Sequence, residues 1–147
     1  YFHFVTYGLS ELYEKQNGNP ERSGYGFELT LKLKKEGLEN PALEVRHICS
    51  LLQMIAGITV NNGHQFTPGQ LLAMGQQRGL DAASKSAITG FITKEDDIGT
   101  VESPFGKVHL VQLIGVKAEE IEQMKNKTMT PAQLAEILKD GLTDYKR

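Results

Sequence analysis

Alternating hydrophobic and polar residues in the first part of the chain predict two strands. The stretch "YFHFVTYGL" alternates around Phe2, Phe4 and Thr6 and ends at Gly8. A second strand runs from about Tyr25 to Lys34 in "RSGYGFELTLKLKK". Its apolar side comprises Tyr25, Phe27, Leu29, Leu31 and Leu33, and its other side comprises Gly26, Glu28, Thr30, Lys32 and Lys34. We therefore expect one buried side and one that faces solvent or a partner.

The residues between these two strands predict a connection without long regular structure. "SELYEK" fits one helical turn with Ser10 as a possible N-cap, or a continued extended segment. "QNGNPERSG" is rich in Asn, Gly and Pro and predicts a loop.

Helical spacing of apolar residues predicts three helices. The first has Asn40 as its N-cap, Pro41 as its first residue, and an end near Ala56. Its apolar face is wide, which favours packing on a sheet. "KAEEIEQMKN" predicts a short amphipathic helix. In "TPAQLAEILKDG", Thr130 and Gln133 form a capping-box pattern and Gly141 is a stop signal.

The remaining patterns complete an α+β fold. Residues 71–86 fit either a short strand and a loop or a helix broken by glycines, and a strand is predicted from Ile88 to Thr93. "GTVESPFGKVHLVQLIGV" predicts a hairpin whose second strand is apolar on both faces, as in the centre of a sheet. With "LTDYKR" as a last extended piece, the chain has five or six strands. We expect a mixed, largely antiparallel sheet with three helices packed on it.

Composition limits the classes of function. The 147 residues suit one domain spanning 1–147, and the net charge of −2 gives no general attraction to nucleic acid or an anionic membrane. No apolar run reaches the ~18 residues needed to cross a bilayer. A single cysteine, Cys49, forms no intrachain disulfide, which fits a cytoplasmic location. Because the sequence starts at Tyr1 in ordered structure, we expect the natural N-terminus upstream.

Candidate catalytic residues are scattered along the chain. The glycines of "SGYGFE" precede a strand, whereas a phosphate loop leads into a helix. The histidines lack metal-site spacing, so we expect no metal, no cofactor and no enzymatic activity. Two alternatives stay open. One is a small-molecule-binding or hydrolytic enzyme in which His64, His109, Cys49 or the cluster Glu95–Asp97 converge; the other is a scaffold domain of a larger protein.

Several stretches, in this order, resemble the Suppressor of fused domain family. They are "HFVTYGLSELYE", "SGYGFELTLKLKK", "SPFGKVHLVQLIGV" followed by "KAEEIEQM", and the ending "LTDYKR". The resemblance implies a non-enzymatic domain that binds a protein partner, either an extended peptide added to a sheet edge or a cognate toxin. The short chain resembles bacterial members, many thought to be immunity proteins, so the resemblance implies a bacterial antitoxin that occludes its partner.

The same resemblance directs attention to the loop that precedes the second strand. In animal members, this loop carries a peptide-contacting aspartate, and Pro20 stands near the matching place here. We expect the partner-binding surface to comprise Tyr13, Asn17, Asn19, Pro20, Glu21, Arg22, Glu28 and Lys32.

An exposed polar side on the second strand has a measurable consequence. In that case Glu28→Ala should change stability by no more than about 0.5 kcal/mol, whereas Leu29→Ala should cost ~2–5 kcal/mol.

Overall fold

The structure is a computed structural model that describes residues 1–10 and 22–147, with side chains from 24 onward in the second range. Its elements in chain order are β1 (Phe2–Val5), β2 (Arg22–Leu33), α1 (Pro41–Asn62), β3 (Leu71–Ala73), β4 (Ile88–Ser103), β5 (Gly106–Lys117), α2 (Ala118–Lys125), α3 (Pro131–Ile137) and β6 (Leu142–Thr143). The predicted α+β composition is confirmed.

The described residues form one mixed sheet of six strands, of which five lie in the order β1-β2-β5-β4-β3. The pairs β1–β2, β4–β5 and β3–β4 are antiparallel, whereas β2–β5 is parallel. The short β6 pairs in parallel with the end of β2. The mostly antiparallel sheet and the central position of β5 agree with the predictions.

Helices cover both faces of the sheet. On one face, α1 contributes Ile48, Leu51, Leu52 and Ile55 to a core shared with apolar residues of β2, β4 and β5. On the other face, Ile121, Met124 and Leu134 of α2 and α3 pack on Ile92, Ile114 and Val116. Because consecutive strand residues point to opposite faces, β4 and β5 supply both cores.

Helix α1 is longer than its pattern predicts. It starts as expected, with the Asn40 side chain accepting from the Leu43 amide 3.2 Å away. It passes the predicted end at Ala56 and stops at Gly63, which has a left-handed φ of 72°. Its 22 residues are long and apolar enough to cross a bilayer. Here, however, one side of the helix packs on the sheet and forms part of the core.

The prediction that the polar side of β2 is exposed is wrong. Glu28 is 4%, Thr30 0% and Lys32 9% exposed. The β4–β5 register shifts between Glu95 and Thr100, and residues of this irregular stretch bond to β2. The Thr30 hydroxyl donates to Asp96 at 2.6 Å, and Lys32 Nζ lies 3.2 Å from an Asp97 carboxylate oxygen. These polar side chains of β2 can therefore be buried, because partners elsewhere in the chain bond to them.

Other boundaries differ in smaller ways. Strand β2 begins at Arg22 rather than Tyr25, and β4 continues past Thr93 to Ser103. Helix α3 has the predicted capping box but ends at Ile137, before Gly141. The hairpin turn is where predicted, with Ser103 opposite Gly106. Of the two interpretations of residues 71–86, the short strand and loop is correct.

Candidate protein-binding surface

Strand β1 lies at one end of the sheet. It pairs with β2 on its inner side, and the strand order of the described residues places no strand on its outer side. The Thr6 amide continues the pairing by donating to the Leu29 carbonyl at 2.9 Å. In an antiparallel pair, the backbone N–H and C=O groups of alternate residues point toward the partner strand. Because the Thr6 amide points toward β2, the backbone groups of Val5 point away from the sheet. Such an edge can accept an added strand.

An apolar groove of about 460 Å³ runs beside this edge, between β1 and α1. Hereafter it is the β1–α1 groove, lined by Phe4, Val5, Thr6, Tyr7, Gly8, Leu9, Cys49, Leu52, Gln53, Ala56 and Val60. The helix residues follow the three- and four-residue spacing of one helix face. Val5 is 53%, Tyr7 84% and Val60 61% exposed. The wide apolar face of α1 therefore serves both the core and this groove.

Glu28 organises the segment that follows β1. Its carboxylate accepts hydrogen bonds from the Thr6 hydroxyl, the Gly8 amide at 3.0 Å, and the Ser10 amide and hydroxyl at 2.9 and 2.8 Å. A carboxylate with several donors is well suited to burial. Glu28 is therefore a structural anchor that holds residues 6–10 along the groove. Its predicted location on an exposed side is incorrect.

The rest of the predicted surface lies next to this anchor in sequence. Tyr13, Asn17, Asn19, Pro20 and Glu21 lie outside the described residues, and of Arg22 only the backbone is described, opposite Lys107. The Tyr25 amide donates to the Leu9 carbonyl at 2.8 Å, which brings the two ends of this stretch together. Leu9, which lines the groove, is therefore in contact with Tyr25, so described residues on both sides of this stretch lie close to the groove.

Lys32 is held by neighbours within the chain. Besides its 3.2 Å pair with Asp97, its ammonium group lies 5.8 Å from the centre of the Tyr1 ring. The hydrogen bond from Lys32, together with the charge of Lys94, holds the pKa of Asp97 below its usual value. Lys32 therefore stabilises the position of residues 96–99, and its predicted exposure is wrong.

Asp96 lies close to residues of three strands, β1, β2 and β4. It accepts from the Thr30 hydroxyl and, at 3.0 Å, from the Ile98 amide, and it lies 3.7 Å from His3 Nε2. Burial acts to raise the pKa of Asp96, but these hydrogen bonds and the charges of Lys32 and His3 outweigh it and lower the pKa. The ionised carboxylate is thus the form that stabilises the fold.

The proposed catalytic groups do not form one site. Cys49 lines the β1–α1 groove, while His109 and Glu95 line a different cavity beside Phe27 and Phe66. His64 lines a third cavity, where its ring contacts Phe66. Asp96 is committed to Thr30. In the part of the chain that the structure describes, no group of three or more His, Cys, Asp or Glu side chains is arranged to hold a metal ion.

Solved structures show which class of fold this is. The chain superposes on a chain of the Sufu-Fu complex crystal structure with a TM-score of 0.81, at 24% identity, covering 99% of this chain and 67% of that one. It superposes on Drosophila Suppressor of Fused with a TM-score of 0.80, at 24% identity, covering 99% and 37%. The fold is therefore the α+β fold found in Suppressor of fused proteins.

Sequence comparison then establishes the family. The chain belongs to the Suppressor of fused protein (SUFU) family, whose family model matches residues 1–147. The Suppressor of fused homologs of Homo sapiens and Mus musculus are each 29% identical over 131 residues. That match covers 82% of this chain and 25% of theirs, so the chain spans about a quarter of their length. The resemblance identified from the sequence is confirmed, and the family is one of protein-binding proteins.

Proposed function

We propose that this chain is a non-catalytic protein-binding domain, and that its role is that of a bacterial immunity protein that covers the functional surface of a toxin. One observation carries the proposal: in a member of a protein-binding family, a strand edge that no described strand pairs with lies beside an exposed apolar groove. Both features suit a protein partner, since large exposed apolar surfaces mark interaction sites.

The geometry supports a specific way of binding. An extended segment of the partner adds to the outer side of β1, and its backbone bonds to the outward groups of Val5. Every second side chain of that segment enters the β1–α1 groove and contacts Phe4, Leu52 or Ala56. Backbone bonds supply affinity in this arrangement, and the groove selects apolar side chains.

The loop predicted from the sequence completes the proposed surface. Tyr13 and the stretch Asn17–Arg22 follow the groove in sequence, and we assign them to its partner contacts. Glu28 and Lys32 act indirectly, through the buried bonds that position residues 6–10 and 96–99.

The relatives support protein binding without naming the partner. One solved relative is a complex of Sufu with Fu. This chain covers only a quarter of the curated relatives, so its own partner has to be found by experiment.

The same geometry supports the proposal of a non-catalytic role. Of the titratable groups considered for catalysis, Cys49, His64 and the pair His109 and Glu95 line three different cavities, and the groove itself is lined mainly by apolar side chains. General acid–base and nucleophilic catalysis both need partners within hydrogen-bond reach.

The immunity role is tested by co-expression with the product of the neighbouring gene. If that product is a toxin, it should stop growth alone, and this chain should restore growth and co-purify with it. Restoration without a stable complex would contradict occlusion. A complex with a non-toxic protein would contradict the immunity role and retain the binding function.

A further inference from the structure

A separate cavity of about 310 Å³ lies at the start of α1. Residues from the stretch 81–87 and the C-terminal residues 145–147 form part of its wall. Hereafter it is the Glu44 cavity. Two of its lining carboxylates are unusually well buried: Glu44 is 9% and Asp81 8% exposed. Buried carboxylates require partners, so their hydrogen bonds decide what this cavity can hold.

The two carboxylates differ in how well they are satisfied. Asp81 accepts from the amides of Lys85 at 3.0 Å and Ser86 at 2.8 Å. Burial acts to raise the pKa of Asp81, but these bonds outweigh it and lower the pKa. Glu44 accepts from one amide, that of Ala82, at 3.1 and 3.3 Å. No ion pair among the described residues includes Glu44.

Tyr145 adds a second unmet requirement on the same wall. Its side chain lines the cavity and the residue is 9% exposed. Its hydroxyl is buried and has no hydrogen-bond partner among the described residues. Burial, with the negative charges of Glu44 and Asp81 nearby, raises the pKa of this hydroxyl well above its usual range. A buried polar group without a partner is uncommon and can be satisfied by a bound ligand or a water molecule.

Among the described residues, none of the cations around the cavity is ion-paired with Glu44. Lys85 Nζ lies 3.9 Å from Glu39, and the aliphatic part of Lys146 packs against Gly37. Arg147 bonds to Glu120 and to the Gly115 carbonyl. Glu44 therefore has no positively charged partner among the described residues, and a ligand with N–H donors can supply one.

We propose that the Glu44 cavity binds a primary alkylammonium group. Two of its N–H bonds donate to the Glu44 carboxylate and the third donates to the Tyr145 oxygen. An ammonium group fits better than a metal ion, because Asp81 is already committed to backbone amides and the described residues offer no metal-binding group. The ammonium belongs either to a free amine or to a lysine side chain of another protein.

The test uses n-butylammonium chloride as the probe and the backbone amide of Ala82, which bonds to Glu44, as the NMR reporter. The matched controls are n-butanol, which lacks the charge, and sodium chloride at the same ionic strength. Saturable shifts of Ala82 with n-butylammonium alone support the proposal. No saturable shift, or an equal response to n-butanol, overturns it.

Two variants and one control locate the binding. Glu44→Gln removes the charge and should weaken binding roughly tenfold or more, and Tyr145→Phe should weaken it about fivefold. Glu39→Gln, at the exposed rim, should leave affinity within about twofold. If Glu44→Gln fails to fold, Tyr145→Phe against Glu39→Gln still decides. Unchanged affinity in Tyr145→Phe would overturn the proposed geometry.

A peptide arm identifies the source of the ammonium group. A Gly-Gly-Lys-Gly-Gly peptide with an acetylated N-terminus and an amidated C-terminus, whose single ammonium group is that of the lysine, is compared with its Nε-acetylated form, which lacks that charge. Tighter binding of the peptide than of n-butylammonium would indicate a lysine side chain, and weaker binding would indicate a free amine. Binding of the acetylated peptide as tight as that of the free peptide would overturn an ammonium site.

Discussion

At the residue scale, the least expected feature is the buried polar side of β2. Alternation correctly placed Leu29 and Leu31 in the core, since both are almost fully buried. It could not show that Glu28 and Lys32 are buried too, because their partners come from distant segments that fold over the strand. A charged residue at a polar position of a strand is compatible with either environment until those partners are known.

Replacement of Glu28 should therefore be costly. Glu28→Ala leaves the Gly8 and Ser10 amides without their acceptor, and we expect a loss of about 2–4 kcal/mol in unfolding free energy. Urea denaturation measures it, with Glu136→Ala on the exposed side of α3 as a control that should stay within about 0.5 kcal/mol. A loss at Glu28 no larger than the control would restore the exposed-side interpretation.

Asp96 should make the fold sensitive to acid. Its pKa is lower in the folded protein than the usual value of about 3.9, so its stabilisation is present above about pH 4. That contribution is lost as pH falls through the folded-state pKa. The Asp96→Asn variant should therefore lose less unfolding free energy than the wild type between pH 6 and pH 3. An equal or larger loss in the variant would show that the ionised Asp96 carboxylate does not stabilise the folded protein.

At the element scale, the sequence predicted the helices and strands well and their lengths less well. Local signals such as Asn40, Thr130 and the Ser103–Gly106 turn lie where capping and turn chemistry require them. The end of α1 is marked locally by the left-handed Gly63, and Ala56 and Ile58 continue the helix to that point by packing against the core. The end of β4 depends on its pairing with β5.

Two glycine substitutions test how closely these elements pack. A Cβ at Gly115 would lie 2.7 Å from Ile88 Cγ2 and 2.8 Å from Thr143 Cγ2, where β5 meets β6. Gly115→Ala should therefore destabilise the fold by about 1–3 kcal/mol. Gly57 lies inside α1, where the nearest atom would be 3.9 Å away, so Gly57→Ala should stabilise it by about 0.5–1 kcal/mol. Thermal unfolding compares them, and equal effects would contradict the packing described for β6.

At the scale of the whole molecule, one face of α1 builds the core and another builds a groove beside an open strand. The periodicity of α1 shows a single wide apolar face. Only the position of β1 shows which residues of that face lie in the core and which line the groove. The proposed partner-binding loop rests on family resemblance, whereas the groove is seen only in the folded chain. Its signal in the sequence is an excess of apolar residues, among them Val60, beyond what one buried face requires.

The most direct test of the proposed function is the affinity of the tagged chain for the protein that co-purifies with it. Val5→Pro removes an outward N–H from β1 and leaves the inner pairing with β2 intact, because Pro is tolerated on edge strands. Val5→Thr retains that N–H and is the matched control. Strand addition predicts that Val5→Pro weakens binding roughly tenfold or more while Val5→Thr stays within about threefold, with both variants folded. Equal affinities of the two variants would contradict binding at the β1 edge.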